Sequence, residues 1–220
     1  MNARTPIEAA QGTPNWHAAR RGHLTGSRMA DAMSYLTRKT KNGEKGDSSA
    51  ERKKYMAQLV AERMTEYAFT HFVTKAMEDG LEREPMARAE YEITTGLDVR
   101  DAGFIKHPTI AFFGATPDGF VGADGLAEFK CPTHSTYIDW LIAGVVPAEH
   151  KPQMIAEAVC AQREWVDFVA YHPDFGARKL FVRRFTPTLA ERQMVEEEAQ
   201  RFLEEVDAMF DAVCQIPMIE

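Results

Sequence analysis

The sequence predicts an α/β (α+β) fold in which a central mixed β-sheet is flanked by helices, and three observations carry that expectation. Segments of helical period, interrupted by one polar loop, fill much of residues 16–95. Short apolar segments punctuated by Pro, Gly and Asp fill residues 97–131. Helical and strand-like segments then alternate to the end, an order that layers helices against a sheet.

Taken in order, residues 16–21 read as a short helical turn, and Thr25 or Ser27 is placed to cap a second helix running to about Leu36. Residues 37–50 are polar, basic and glycine-containing, as a mobile loop would be. Helical spacing resumes over residues 51–67, with Tyr55, Met56, Leu59 and Met64 at apolar positions, and a further helix fits 73–95. Residues 97–106, 110–114, 119–121 and 126–131 have strand character, and Ala123-Asp124-Gly125 is expected to make a hairpin turn because Asp-Gly tolerates positive φ. Two helices over 135–143 and 148–161 precede a second pair of strands, 165–171 and 178–184, joined by a turn around 173–176. A long amphipathic helix with an acidic outer face, 188 to about 213, closes the chain.

A chain of 220 residues with 45% hydrophobic content can bury a core, and its length fits one domain spanning 1–220. Residues 1–11 lack the apolar stretch of a signal peptide, and no apolar run reaches the roughly 18 residues of a membrane span, so a soluble cytoplasmic protein is expected. Three cysteines, Cys131, Cys160 and Cys214, are an odd number without CxxC spacing; reduced thiols are expected, with Cys160 in the core. A net charge of −7 sits awkwardly with nucleic-acid binding, which needs cations for phosphates. Yet residues 38–54 hold seven basic side chains against three acidic ones, a local balance of +4, while the chain from 187 onward holds nine acids against Arg192 and Arg201.

The chemistry concentrates in Gly114-Ala115-Thr116-Pro117-Asp118-Gly119 and, after the expected hairpin, Glu128-Phe129-Lys130. Glu128 and Lys130 are two apart in a strand and so project from one face. A paired hairpin brings Asp118 to the same end of the sheet, so two carboxylates and an amine converge. Hard oxygen ligands of this kind suit Mg²⁺, which bridges carboxylates to phosphate oxygens, and the sideways carbonyl of Phe129 can add a ligand. The bland alternative is a Pro-Asp-Gly reverse turn and an exposed Glu-x-Lys ion pair; each element alone is common, and the combination is rarer.

These residues resemble the core of the YqaJ-like viral recombinase family, the lambda exonuclease family of the PD-(D/E)xK nuclease superfamily. Trp16-His17-Ala18-Ala19-Arg20-Arg21-Gly22 with Thr25-Gly26-Ser27 resembles the family's N-terminal element. Gly80-Leu81-Glu82-Arg83-Glu84, continuing to Ala87-Arg88, resembles its helical acidic element, and Gln153 falls where the family places a glutamine. The resemblance implies a restriction-endonuclease-like core, with a DNA-end element over 14–50, a catalytic core over 80–171 and a C-terminal helix over 187–213. It implies that Asp118, Glu128 and the Phe129 carbonyl hold metal, that Lys130 activates water, and that Glu84 and Gln153 complete the catalytic set. Arg20, Thr25 and Ser27 would receive a 5′-phosphate. Other readings stay open: an ion pair of Glu84 with Arg88 at i+4, a solvated or capping Gln153, a solvated Arg20, and simple helix caps at Thr25 or Ser27. Trp16 reads as core. An acidic residue that the family's best-known member carries about ten positions before Pro-Asp is replaced by the His107 neighbourhood, and His150 has no assigned role.

The implied activity is 5′-to-3′ exonucleolytic digestion of one strand of duplex DNA from its ends, leaving 3′ overhangs for strand-annealing recombination. It would use two Mg²⁺ ions about 3.5–4 Å apart, with Mn²⁺ as a substitute. The resemblance further implies a phage or prophage origin, a homo-oligomeric ring, a trimer in the family, and a single-strand annealing partner. The rivals are a PD-(D/E)xK endonuclease or Cas4-like nuclease, the iron-sulfur form of which the cysteine count disfavours, a non-catalytic DNA-end-binding accessory protein, and an ordinary α/β protein with an accidental motif.

Overall fold

A computed structural model describes residues 11–41, 43–65 and 75–217. The expected end of one helix and start of the next, within 66–74, lie outside the described residues.

Helix α1 (Pro14–Arg20) begins where the Thr13 side chain accepts from the Trp16 amide and Pro14 takes a first-turn position that needs no N–H. Strand β1 (Leu24–Thr25) leads into a 3₁₀ turn, Gly26–Arg28, and a single turn of helix, α2 (Met29–Ala32). The helix expected to reach Leu36 is therefore broken and short. Neither Thr25 nor Arg28, at the two cap positions, makes a side-chain cap bond. The loop that follows is stitched by antiparallel bridges Tyr35–Ser48 and Thr40–Gly43. Helices α3 (Ala50–Thr65) and α4 (Lys75–Thr95) come next.

The strand expected over 97–106 divides into β2 (Val99–Arg100) and β3 (Ile105–Lys106), because the two halves belong to different sheets. β3 pairs with β4 (Phe113–Ala115), which also lies parallel to β1. β2 pairs with β5 (Gly119–Val121), the first of four adjacent strands continuing through β6 (Gly125–Lys130), β7 (Trp165–Tyr171) and β8 (Leu180–Phe185). Only the β6–β7 pair is parallel in this five-stranded sheet. The β5–β6 turn takes its positive φ at Gly122 (57°), and Gly125 is already strand, opposite Val121. The expectation that Asp124-Gly125 supplies the left-handed residue is thus displaced to the glycine that opens the turn.

The five-stranded sheet is covered on both faces. Ala87 and Tyr91 of α4 pack on Val121, Ala127, Phe129 and Val169. On the other face, Leu126, Val166, Phe168 and Ala170 meet helices α5 (His134–Ala143) and α6 (Lys151–Ala161). Period-2 alternation along β6 therefore sends Ala127 and Phe129 toward α4, and Leu126, Glu128 and Lys130 toward α6. Helix α7 (Leu189–Cys214) starts on a reciprocal Thr188–Glu191 capping box and buries Val195, Ala199, Phe202, Leu203 and Val206 against α3 and α6. Arg52 is fully buried between these helices, donating to Glu205 (2.9 Å) and the Tyr35 hydroxyl (3.0 Å). One of the seven charges of the basic stretch is thus internal. The three cysteines are free, with Cys160 buried. Among the described residues no helix is long and apolar enough to cross a membrane.

Asp167 fastens α4 to the sheet. It is buried and accepts from the Tyr91 hydroxyl (2.8 Å) and from Nε and Nη2 of Arg184 (both 2.9 Å). Asp167→Ala strands a buried phenol, whereas Arg184 is half exposed and can turn to water. The expected loss is about 2–3 kcal/mol, below that of a fully buried pair, read as a lower urea midpoint at unchanged slope.

Candidate active site

Asp118 owes its position to the residue after it. A β-carbon on Gly119 would lie 2.2 Å from Val99 Cγ1, so only glycine lets β2 close against β5. The Pro-Asp-Gly segment is therefore an entry into a strand rather than a reverse turn. β5 pairs with β6 no further than Gly119–Ala127, leaving the last residues of β6 without a strand partner on that edge. Asp118 Oδ2 takes the partner's place and accepts from the Phe129 amide (2.7 Å). Because the N–H and C=O of a strand residue face one edge, the Phe129 carbonyl opens toward Asp118.

From the face of β6 turned toward α6, Lys130 Nζ donates to Glu128 Oε1. Gln153 on α6 donates from Nε2 to the same oxygen (2.6 Å) and to Glu157 Oε1 (2.8 Å). Two carboxylate acceptors fix the amide orientation, since only the NH₂ end can satisfy both. Gln153 is therefore not a solvated or capping residue. Glu157, which sequence reasoning missed, is 1% exposed. The signal that could have found it is its i+4 spacing from Gln153, which places both on one helix face.

The electrostatics are unbalanced. Burial first, then Glu128, lifts Asp118 and Glu157 well above the usual carboxylate range. Burial also raises Glu84 on α4, with Lys130 opposing and Glu128 reinforcing. Burial disfavours the Lys130 ammonium, but Glu128 and Asp118 outweigh it and hold its pKa above the usual lysine value. One cation thus faces Asp118, Glu128, Glu157 and Glu84. Glu128 Oε2 and Glu157 Oε2 are buried without a partner among the described residues. Unpaired hard oxygens in a site with excess negative charge fit a divalent ion of the Mg²⁺ class. Asp118, Glu128, Glu157 and the Phe129 carbonyl have the atoms to hold one.

A cavity of about 840 Å³ opens beside this cluster, lined by Arg20, Arg28, Thr25, Ser27, Tyr55 and, on the cluster's side, Glu84. Arg20 lies over the Trp16 ring (3.9 Å to its centroid) and reaches Ser27 Oγ at 3.5 Å. Burial lowers its pKa, and among the described residues no carboxylate is within ion-pair distance of it. The hydroxyls of Thr25 and Ser27 are 3.4 Å apart. Neither reading as a helix cap survives, and the short α2 contributes little dipole, so donors here are side chains. Trp16 is core, as expected, and its Nε1 donates to Thr116 Oγ1 (3.2 Å), tying this element to the segment that carries Asp118.

The alternative partner for Glu84 is excluded: Arg88 pairs with Glu92 and Asp101. His107 stands away from the cluster, holding Glu196 of α7 (3.0 Å) and accepting from the Ile110 amide. His150 packs between Trp140 and Phe168.

A mixed sheet flanked by helices, with Asp118 ahead of one strand and Glu128-x-Lys130 on the next, defines the class as an α/β protein of the PD-(D/E)xK type. More narrowly, the chain belongs to the YqaJ-like viral recombinase domain family, whose profile matches residues 15–164. An alkaline exonuclease, LHK-Exo, from Laribacter hongkongensis is 39% identical, with 92% of this chain and 97% of that one covered at a TM-score of 0.81. The structure of LHK-Exo in complex with dAMP is 38% identical, covering 91% and 96% at 0.82. A phage-related exonuclease from Haemophilus somnus 129PT, 14% identical over 90% of this chain and 99% of its own, shares the fold at a TM-score of 0.63. No curated protein sequence matches the chain significantly.

Both Asp118 and Glu157 keep protons in the folded chain at pH values where the unfolded chain has released them. Without divalent ions, stability therefore falls as pH rises from about 4 through the raised folded values. In EDTA at pH 8, Asp118→Asn and Glu157→Gln should each raise stability by about 1 kcal/mol, read from thermal unfolding. Added Mg²⁺ should stabilise the unsubstituted protein more than either variant.

Proposed function

We propose that this protein is a metal-dependent deoxyribonuclease that digests one strand of duplex DNA from a 5′ end and leaves a 3′ overhang for recombination. The observation that carries the reading is the continuity of two sites: Glu84 both lines the arginine-bearing cavity and interacts with Lys130 and Glu128 of the carboxylate cluster. A terminal nucleotide seated in the cavity has its phosphodiester beside the cluster. Similarity to an exonuclease over nearly the whole chain supports the activity, and the mononucleotide dAMP held by LHK-Exo supports release of single nucleotides.

Arg20, with the hydroxyls of Thr25 and Ser27, binds the 5′-phosphate through charge-assisted hydrogen bonds. Asp118, Glu128 and the Phe129 carbonyl hold the metal, with Mg²⁺ the natural ion, two ions the working stoichiometry and Mn²⁺ a substitute. Bound there, such ions supply a water of lowered pKa and neutralise charge on the phosphate. Lys130 remains an ammonium at neutral pH, so it orients the attacking water by donating to it and does not take its proton. Gln153 fixes the Glu128 carboxylate, and Glu157 fixes Gln153. Glu84 faces the scissile phosphate from the cavity side. A homo-oligomeric ring, trimeric in the simplest case, and a single-strand annealing partner belong to the same proposal and rest on family membership.

Linear duplex labelled at one 5′ end tests this. Mg²⁺-dependent release of mononucleotides from the phosphorylated end is expected, with Lys130→Ala at least about 10²-fold slower. Cutting of closed circles would instead identify an endonuclease, and end binding without hydrolysis an accessory module. Arg20→Ala should erase the preference for 5′-phosphorylated over 5′-hydroxyl ends while leaving Mg²⁺ dependence unchanged.

A further inference from the structure

A second cluster of ligating side chains lies just beyond the C-terminal ends of β6 and β7. His134 opens α5, directly after the β6 strand, and His172 and Asp174 begin the β7–β8 connection. His134 Nε2 donates to Asp174 Oδ2 (2.8 Å), a proton that a bound cation would replace, and His172 Nδ1 is 3.9 Å from the same oxygen. One ligand atom from each of the three residues lies within 4.8 Å of the others. The edges of a tetrahedral zinc site with bonds near 2.0–2.1 Å are about 3.3–3.5 Å, so the two measured spacings bracket what a cation needs.

The chemistry of each group agrees. His172 is fully buried, and the Asp174 amide donates to its Nδ1 at a long 3.4 Å. That nitrogen is therefore unprotonated, and a cation shared with the carboxylate would take its one lone pair in place of this long hydrogen bond. Among the described residues, His172 Nε2 is buried without a partner, so it puts no opposing demand on the tautomer. The imidazoles are packed together, 4.1 Å between centroids, against Phe175 and Tyr137, which limits how far they can part. His134 and Asp174 are exposed, so an ion can enter from solvent and complete its shell with water. Arg83 is the nearby charge that opposes it.

We infer that His134, His172 and Asp174 form a binding site for one borderline divalent cation of the zinc class, separate from the carboxylate cluster. Two imidazoles and one carboxylate select Zn²⁺ or Co²⁺ over Mg²⁺, which prefers oxygen ligands throughout. A bound ion ties the start of α5 to the β7–β8 connection and so anchors the strand end that follows Lys130.

The test is Zn²⁺ titration by calorimetry of the whole chain in excess Mg²⁺, followed by the visible and near-ultraviolet spectrum of the Co²⁺ form. One Zn²⁺ per chain is expected. His134→Ala and Asp174→Asn, both at exposed positions, should each weaken it by more than about tenfold without altering thermal unfolding in EDTA. The Co²⁺ form should lack thiolate charge-transfer bands. Absence of binding, equal affinity in all three proteins, thiolate bands from Cys131, Cys160 or Cys214, or loss of the ion in Asp118→Asn instead, would overturn the assignment.

Discussion

Gathering half-buried Asp118 with buried Glu128 and Glu157 around one lysine is the constraint on which the rest of the site depends. Lys130 neutralises one charge, and Gln153 satisfies one oxygen on each of two carboxylates, but two carboxylate oxygens stay buried and unpaired. Left alone, such a cluster protonates or destabilises the fold. A divalent cation, as proposed, would resolve it by supplying the charge that the protein withholds.

The sheet makes this tolerable by holding every member from a different, well-anchored element. β6 is the sheet's middle strand, paired over its whole length with β7 and with β5 only as far as Ala127. That early end of β5 exposes the edge that Asp118 and the Phe129 carbonyl use. α6 presents Gln153 and Glu157 from one face, and α4, fastened by Tyr91 to Asp167, brings Glu84 from the other side. The N-terminal element is joined to the segment that carries Asp118 by β1–β4 pairing in the smaller sheet and by the Trp16–Thr116 hydrogen bond. On the proposed reading, a substrate end held by Arg20 would be held relative to Asp118 itself.

Much of this was legible in the sequence where chemistry and period coincide. Strand alternation alone places Glu128 and Lys130 on one face, and Asp118, Gln153 and Glu84 converge on them as expected. Helix and strand types are right for most segments. What was not legible arises from pairing at a distance. The 97–106 segment reads as one strand because nothing local marks Asp101 to Phe104 as a crossing between sheets. Residues 25–36 have helical composition, yet β1–β4 pairing and the 3₁₀ turn leave only Met29–Ala32 helical. Arg52 reads as part of a basic surface and is buried, because its partners Tyr35 and Glu205 lie far off in sequence. Glu157 was hidden by being an acid on a mostly apolar helix, where its i+4 pairing with Gln153 shows only once the strand that both face is known.

Anomalous diffraction from crystals soaked in Mn²⁺ would place an ion in this cluster without reference to turnover. Peaks are expected within bonding distance of the Asp118 and Glu128 carboxylates and the Phe129 carbonyl, lost in Glu128→Gln. Mn²⁺ bound elsewhere on the chain with this cluster vacant, or a cluster filled by a lysine-carboxylate network that excludes the ion, would contradict the proposed metal site.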